Sequence, residues 1–298
     1  MFKKLIYILV AQSILILLLN LGSNSNKNVK RTIDLNFNEI KSFEIGDMVD
    51  SLKFISKDNK WFISKEKIDY PANQNLVLNL FNSIKSFNLS NLAGSSKKSS
   101  KSFLVSNDNF KKYIKIGNEK YFFGESPSFR NVYFRDSKNN NSYIVEFNDL
   151  MLNLDFNNWT DKELLHFDKS NIKSFEFNDI NFLKNEASFK IDGDKDYSQA
   201  VIDNFIQIIS NINYISLFAD DGYEFKKEIN FIYNDDSKQQ FLISSLINEE
   251  YYYLKYTKYD FIFKVKKEVI ENLYEYDIKK FILIEMDDIS KEIKDNNS

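Results

Sequence analysis

The sequence predicts an α+β protein of two related modules, each an antiparallel sheet with one main packed helix, after an N-terminal transmembrane helix. Three observations predict it. The word Ile40-Lys41-Ser42-Phe43-Glu44-Ile45 returns almost letter for letter as Ile172-Lys173-Ser174-Phe175-Glu176-Phe177, and such a recurrence followed by a similar order of elements points to duplication. Each half carries short alternating runs around a stretch with apolar residues at helical spacing. An apolar run, Leu5 to Leu21, precedes both. Each copy of the word puts Ile, Ser and Glu on one face and Lys and Phe on the other, so alternation alone leaves the buried face open.

Composition narrows the classes of function. With 298 residues, 43% hydrophobic and 16% aromatic, the chain can bury two cores rather than remain disordered. Its 40 basic and 43 acidic residues alternate finely, giving a formal charge of −3, so no basic patch stands out and nucleic acid is not expected as a partner. Cysteine is absent, which excludes disulfides, thiolate metal sites, a cysteine nucleophile and a lipid-modified N-terminal cysteine.

After Lys3 and Lys4 no charge appears until Lys27, and Leu5 to Leu21 is apolar apart from Gln12, Ser13 and Asn20. As a helix this run would rise roughly 25 Å, within the spanning range when flanking residues reach the interface. The readings are an uncleaved anchor or a cleaved secretory signal, and apolar length with a weak cleavage site at Ser23-Asn24-Ser25 favours the anchor. Lysines flank the run on both sides, so the positive-inside count does not decide orientation. The short N-terminal tail favours N-in, which places the bulk of the chain outside the cytoplasmic membrane as a single-pass, periplasmic protein. Residues 22 to 32 form a polar tether.

In the first module Ile40 to Ile45, Leu52 to Ser56 and Lys60 to Ser64 read as strands, the last two joined by a Lys57-Asp58-Asn59 turn. Tyr70-Pro71-Ala72-Asn73 keeps Tyr70 extended and offers Asn73 as a cap for a helix whose buried face holds Leu76, Val77, Leu80, Phe81, Ile84 and Phe87. Asn91 to Ser102, rich in Ser and Lys, reads as a flexible, solvated loop. Four strands follow as a meander: Tyr113 to Ile116, Lys120 to Phe123, Val132 to Arg135 and Ser142 to Phe147. Gly124-Glu125-Ser126-Pro127-Ser128 makes a turn and not a phosphate loop. Asp149 to Leu154 is a short segment, and Thr160 with Glu163 stands at capping-box spacing behind Trp159, which predicts a helical turn there.

Together these residues carry a resemblance. Trp61 followed by Tyr70-Pro71-Ala72-Asn73 and its helix, then Phe123-Gly124-Glu125-Ser126-Pro127 leading to Val132-Tyr133-Phe134-Arg135, then Trp159-Thr160-Asp161-Lys162-Glu163-Leu164-Leu165, resembles the bacterial domain-of-unknown-function family 4340 over roughly residues 40 to 177. The departures are Asn73 where Asp is usual, Thr160 where Arg is common, and no Tyr-Gly-Leu segment after the helix. The resemblance implies a membrane-tethered extracytoplasmic protein, often encoded beside ABC-transporter components of the gliding-motility type, with no assigned activity and no catalytic or binding residues.

From Ile172 the order replays. Ala187 to Ile191 reads as a strand and Ser198 as the cap of a helix burying Val201, Ile202, Phe205, Ile206, Ile209 and Ile212, with Tyr197 standing where Tyr70 stood. Glu228 to Tyr233, Gln240 to Ser244, Tyr251 to Tyr256 and Phe261 to Val265 repeat the meander, Lys266 to Tyr274 matches Asp149 to Leu154, and Phe281 to Glu285 reads as a strand closing the sheet. The boundaries drawn are an anchor and tether over 1–26, modules over 33–168 and 169–285, and a charged tail over 286–298.

Reactive chemistry is sparse. His166 is the only histidine, flanked by Leu165 and Phe167 and read as structural. Asp192-Gly193-Asp194-Lys195-Asp196 lacks the distant bidentate acid of a calcium loop and reads as a turn. Asp220-Asp221 and Asp235-Asp236 read as solvated turns whose adjacent acids point apart. No catalytic residue, metal or cofactor is expected. Trp61 and Trp159 read as core or staple residues, and Tyr251-Tyr252-Tyr253 must send its outer and middle rings to opposite sheet faces, one of which could meet a partner. Trp61, Tyr70, Trp159, Tyr251, Tyr252 and Tyr253 are therefore the candidate partner-binding residues. The function expected is a non-catalytic auxiliary or scaffold component of a membrane complex, an ABC transporter by the resemblance, with a transporter subunit as partner. The alternative is an extracytoplasmic small-ligand or glycan-binding protein using a cleft between modules, and an enzyme built around His166 comes third.

Overall fold

The computed structural model describes residues 39–186, 188–191, 197–276 and 278–282, with single positions at 12, 32–33 and 35–36. But for those positions the predicted anchor Leu5 to Leu21, the tether, the turn at 192–196 and the charged tail lie outside the described residues. Among the described residues no helix is long and apolar enough to cross a membrane.

The fold is α+β, two antiparallel sheets with few helices. The first half runs β1 (Ser42–Gly46), β2 (Ser51–Lys57), β3 (Lys60–Lys65), β4 (Ile68–Pro71), α1 (Gln74–Lys85), β5 (Leu92–Gly94), α2 (Lys97–Ser102), β6 (Lys112–Ile116), β7 (Glu119–Phe123), β8 (Asn131–Asp136) and β9 (Ser142–Glu146). After α3 (Phe156–Trp159) come β10 (Ile172–Phe177), β11 (Ile180–Asn185), β12 (Ser188–Ile191), α4 (Gln199–Ile209), β13 (Ser216–Ala219), β14 (Phe225–Tyr233), β15 (Lys238–Ser244), β16 (Tyr251–Tyr256), β17 (Phe261–Lys266), α5 (Lys267–Tyr274) and α6 (Ile278–Phe281). One sheet has the order β4-β3-β2-β1-β6-β7-β8-β9-β5 and the other β12-β11-β10-β14-β15-β16-β17-β13. With β4 set aside the two orders coincide: third, second and first strand, the four-strand meander, then the short strand that follows the helix. Contacts divide the chain into two compact units, Met1–Ser56 with Asn75–Leu154, and Lys57–Gln74 with Asp155–Ser298.

In the first unit the repeated word buries its Phe face. Phe43 and Ile45 are buried, and Phe43 lies opposite Phe54 of β2 with the rings stacked 4.4 Å apart and 4° from parallel. Phe81 of α1 meets Phe43 edge-on at 5.0 Å, so cross-strand pair and helix share one core. The helix buries Val77, Leu80, Phe81 and Ile84. Leu76, expected on that face, is 39% exposed because the buried stripe is narrower than the apolar residues available to it.

The loop predicted from Asn91 to Ser102 is ordered. β5 pairs with β9, and Ser96 and Ser99 form a reciprocal capping box at the start of α2, so serines that read as linker composition satisfy the helix's free backbone groups. The chain then lays Val105, Phe103 and Phe110 against Tyr113, Phe122 and Tyr133, with Phe103 stacked on Tyr133 at 4.0 Å. This covers the sheet face opposite α1. Gly124 marks the closest approach: a Cβ there would lie 1.9 Å from the Phe103 carbonyl oxygen. Gly124→Ala should therefore force backbone movement and destabilise the first unit by about 1–3 kcal/mol, readable as a lowered urea midpoint. An unchanged midpoint would mean that the covering segment is not packed this way.

The second unit repeats the arrangement. Phe175 lies opposite Phe182, stacked at 4.4 Å and 6°, and Phe205 of α4 reaches Phe175, Phe177 and Phe182. One expectation is corrected and two are met with different bonding. Ser198 is the N-cap of α4 as expected, but through its backbone: its carbonyl accepts from Val201 and Ile202, its N–H donates to the Phe281 carbonyl at 2.7 Å, and its side chain makes no cap bond. Phe281 ends α6, buried beside Phe205 and Phe182, with Ile282 making a single bridge to Tyr197; residues 283–285 lie outside the described part. The turn expected after Thr160 is present over 162–165, with the His166 N–H donating to the Glu163 carbonyl at 2.9 Å, but Asp161 and not Thr160 accepts the Glu163 N–H, at 3.0 Å. Thr160 instead closes α3, which the Asp155 side chain caps, by donating to the Asn157 carbonyl at 2.9 Å.

Candidate functional site

Two segments singled out in the sequence pair with each other inside the second unit. Ala72 and Thr160 form an antiparallel bridge, with Asn73 N–H donating to the Trp159 carbonyl at 2.7 Å and Asp161 N–H to that of Pro71 at 3.0 Å. The Gln74 side chain locks Trp61 onto the same strand end: its amide donates to the Ala72 and Trp61 carbonyls at 2.6 and 3.0 Å, and its oxygen accepts the Trp61 N–H at 2.8 Å. Thr160 is fully buried, and Tyr214 donates its hydroxyl toward Thr160 Oγ1 and the Asp161 carbonyl. Tyr70 sits between Phe156 and Phe261, at 4.9 and 5.1 Å. Burial first, then Glu66 and Asp221, push its hydroxyl up to about 12. Tyr70 and Trp159 are thus core residues and Trp61 is half-buried. The pairing of the two segments is a clamp of matched backbone and side-chain polar atoms, joined by the Lys162 ammonium, which donates to Thr160 Oγ1 at 3.3 Å and lies 5.0 Å over the Tyr214 ring, and it is suited to holding backbone together.

Tyr251, Tyr252 and Tyr253 part as strand alternation requires. Tyr252 is buried, 6.0 Å from Tyr274. Tyr251 and Tyr253 lie on the other face, half-exposed, with ring centroids 5.5 Å apart. Phe218 of β13 and Tyr223 of the following turn join them at 4.8 and 4.5 Å from Tyr253, and Lys264 stands 3.6 Å over the Tyr251 ring. Burial, then the neighbouring Tyr251, raise the Tyr253 hydroxyl to about 12. Lys255 and Asp220 close its edge with a 2.5 Å ion pair. Sequence reading found the tyrosines but not Phe218 or Tyr223, which arrive through an edge strand with no local hairpin signal.

The remaining candidates are separate. Asp220 accepts the Gly222 N–H and Asp235 the Ser237 N–H, both as turn residues. His166 bridges Asn211 through its backbone, and its Nε2 is buried without a hydrogen-bond partner among the described residues. No group of three or more His, Cys, Asp or Glu among the described residues could hold a metal ion. Two cavities open in the first unit. One of about 640 Å³ is lined by Ser83, Asn88, Arg130 and Glu146 among others, and one of about 430 Å³ has Lys97, Lys101, Asp108 and Arg135 in its wall. The sequence reading passed over both.

The class of protein is therefore an α+β chain of two antiparallel sheets of one strand order, with an internal clamp and a half-exposed aromatic face. It belongs to the family described as a domain of unknown function, DUF4340, which matches residues 61–231, more than half of the chain. The match takes in Trp61, the paired segments and the Gly124 turn. No curated protein and no solved structure matches the chain.

Proposed function

We propose that the protein is a non-catalytic, membrane-tethered extracytoplasmic scaffold or auxiliary component, working in an ABC-transporter assembly and contacting a transporter subunit through the aromatic face of the second sheet. The observation that carries the reading is the half-exposed cluster of Phe218, Tyr223, Tyr251 and Tyr253, flanked by Lys264 and the Lys255–Asp220 pair. Partner surfaces favour tyrosine and phenylalanine centres with a charged rim. The tether is supported by the apolar run Leu5 to Leu21. Descent of both units from one ancestral sheet and helix is supported by the repeated word and the common strand order.

The test is crosslinked pull-down of the tagged full-length protein from native membranes, with mass spectrometry. The wild type should recover a transporter subunit, and the Tyr251→Ala/Tyr253→Ala double variant should recover about tenfold less, since central aromatic residues carry most of the energy of such contacts. Recovery of no transport protein by the wild type, or equal recovery by the variant, would overturn the reading.

A further inference from the structure

We infer that the cavity around Arg135 is a binding site for a phosphoryl oxyanion, a phosphate monoester of a small molecule. Arg135 lies on β8 opposite Phe122, 3% exposed, with its guanidinium 4.7 Å above the Phe122 ring. Nε donates to the Val105 carbonyl at 2.5 Å, Nη1 to the Asn139 and Asp136 carbonyls at 2.8 and 3.3 Å, and Nη2 to Asn107 Oδ1. All of these acceptors are neutral, and the Asp136 carboxylate acts on the guanidinium through space without bonding it. A buried cation ordinarily meets a carboxylate, because amides and carbonyls orient it without cancelling its charge. A guanidinium also has one more N–H than these bonds use, and Arg135 lines the cavity.

The rest of the wall has the same character. Lys97, Lys101 and Lys138 join Arg135 around about 430 Å³, with Asp108 the one carboxylate among the lining residues. Asp108 is itself held by Lys101 at 2.8 Å and the Ser106 hydroxyl at 2.7 Å. Lys101 is paired with Asp108 and Lys138 with Glu119, so the positive charge not met by a carboxylate contact at this cavity comes from Arg135 and Lys97, in a chain whose formal charge is −3. That pair suits a tetrahedral dianion, with the remaining arginine N–H directed to one oxygen and Lys97 supplying charge at the rim. The site owes nothing to the aromatic face of the second sheet, so each reading can fail alone.

The test uses the full-length protein in phosphatidylcholine nanodiscs, titrated calorimetrically with inorganic phosphate, glycerol 3-phosphate and short-chain phosphatidic acid. Lys97→Ala, at an exposed rim position, should weaken binding about tenfold, and Asp108→Asn should tighten it about threefold by removing the opposing charge. Binding of phosphate or glycerol 3-phosphate with these opposite responses supports the site with a free ligand. Binding of phosphatidic acid alone, with the same responses, supports it with a lipid headgroup as the source. No heat with any of the three, or affinities that neither variant changes, would overturn it.

Discussion

Phe175→Ala is expected to destabilise the second unit by about 3–5 kcal/mol, and Phe43→Ala to do the same to the first. Each phenylalanine stacks on a partner across the hairpin, Phe182 or Phe54, and receives a helix ring, Phe205 or Phe81. Truncation removes contacts on two sides and leaves a cavity that backbone held in the middle of a sheet cannot close. Both tryptophans, Trp61 and Trp159, belong to the second unit, so fluorescence follows that unit while far-ultraviolet dichroism follows both. In urea the Phe175 variant should show an early fluorescence transition. The Phe43 variant should lose part of its dichroism at low urea while its fluorescence midpoint stays near the wild type. Losses under about 1 kcal/mol at either position would be too small for a filled core site and would sink the equivalence of the two words.

Much of this was legible in sequence because it is local. The meander strands announce themselves by alternation and short turns, and Asp58-Asn59 and Asn178-Asp179 take the positive φ angles that two-residue hairpins need. The helix faces follow from 3.6-residue spacing. What escaped is non-local. β5 and β13 are edge strands of a few residues that pair with β9 and β17, distant in sequence, so no turn links strand to partner. The Ser and Lys of α2 look like linker until the capping box and the covered sheet face are seen together. Arg135 was hidden for the same reason: as the end of a strand with one wet face it reads as solvated. The signal that could have found it is Val132-Tyr133-Phe134, apolar on both faces, which asks for cover on both sides of the sheet and so for burial of the arginine in step with Tyr133.

Above pH 10 each of the two units should unfold, by about pH 12. Tyr70, Tyr113, Tyr121, Tyr214 and Tyr256 are all buried, and burial is the first cause raising each hydroxyl; Tyr70 and Tyr113 rise to about 12. A raised tyrosine pKa means that the folded state holds its proton after the unfolded state has released it. Their contribution is therefore complete below the unfolded value of about 10 and is lost as pH climbs toward the folded values. Each such group can remove up to ~1.4 kcal/mol per pH unit, so Tyr113 and Tyr121 in the first unit, and Tyr70, Tyr214 and Tyr256 in the second, together offset the lower part of a typical domain stability of about 5–15 kcal/mol within about two units. Tyrosinate absorbance should then appear in step with the loss of dichroism. A gradual titration centred near pH 10 with dichroism intact would mean that these rings are open to solvent, and the packing described for both sheets would fall with it.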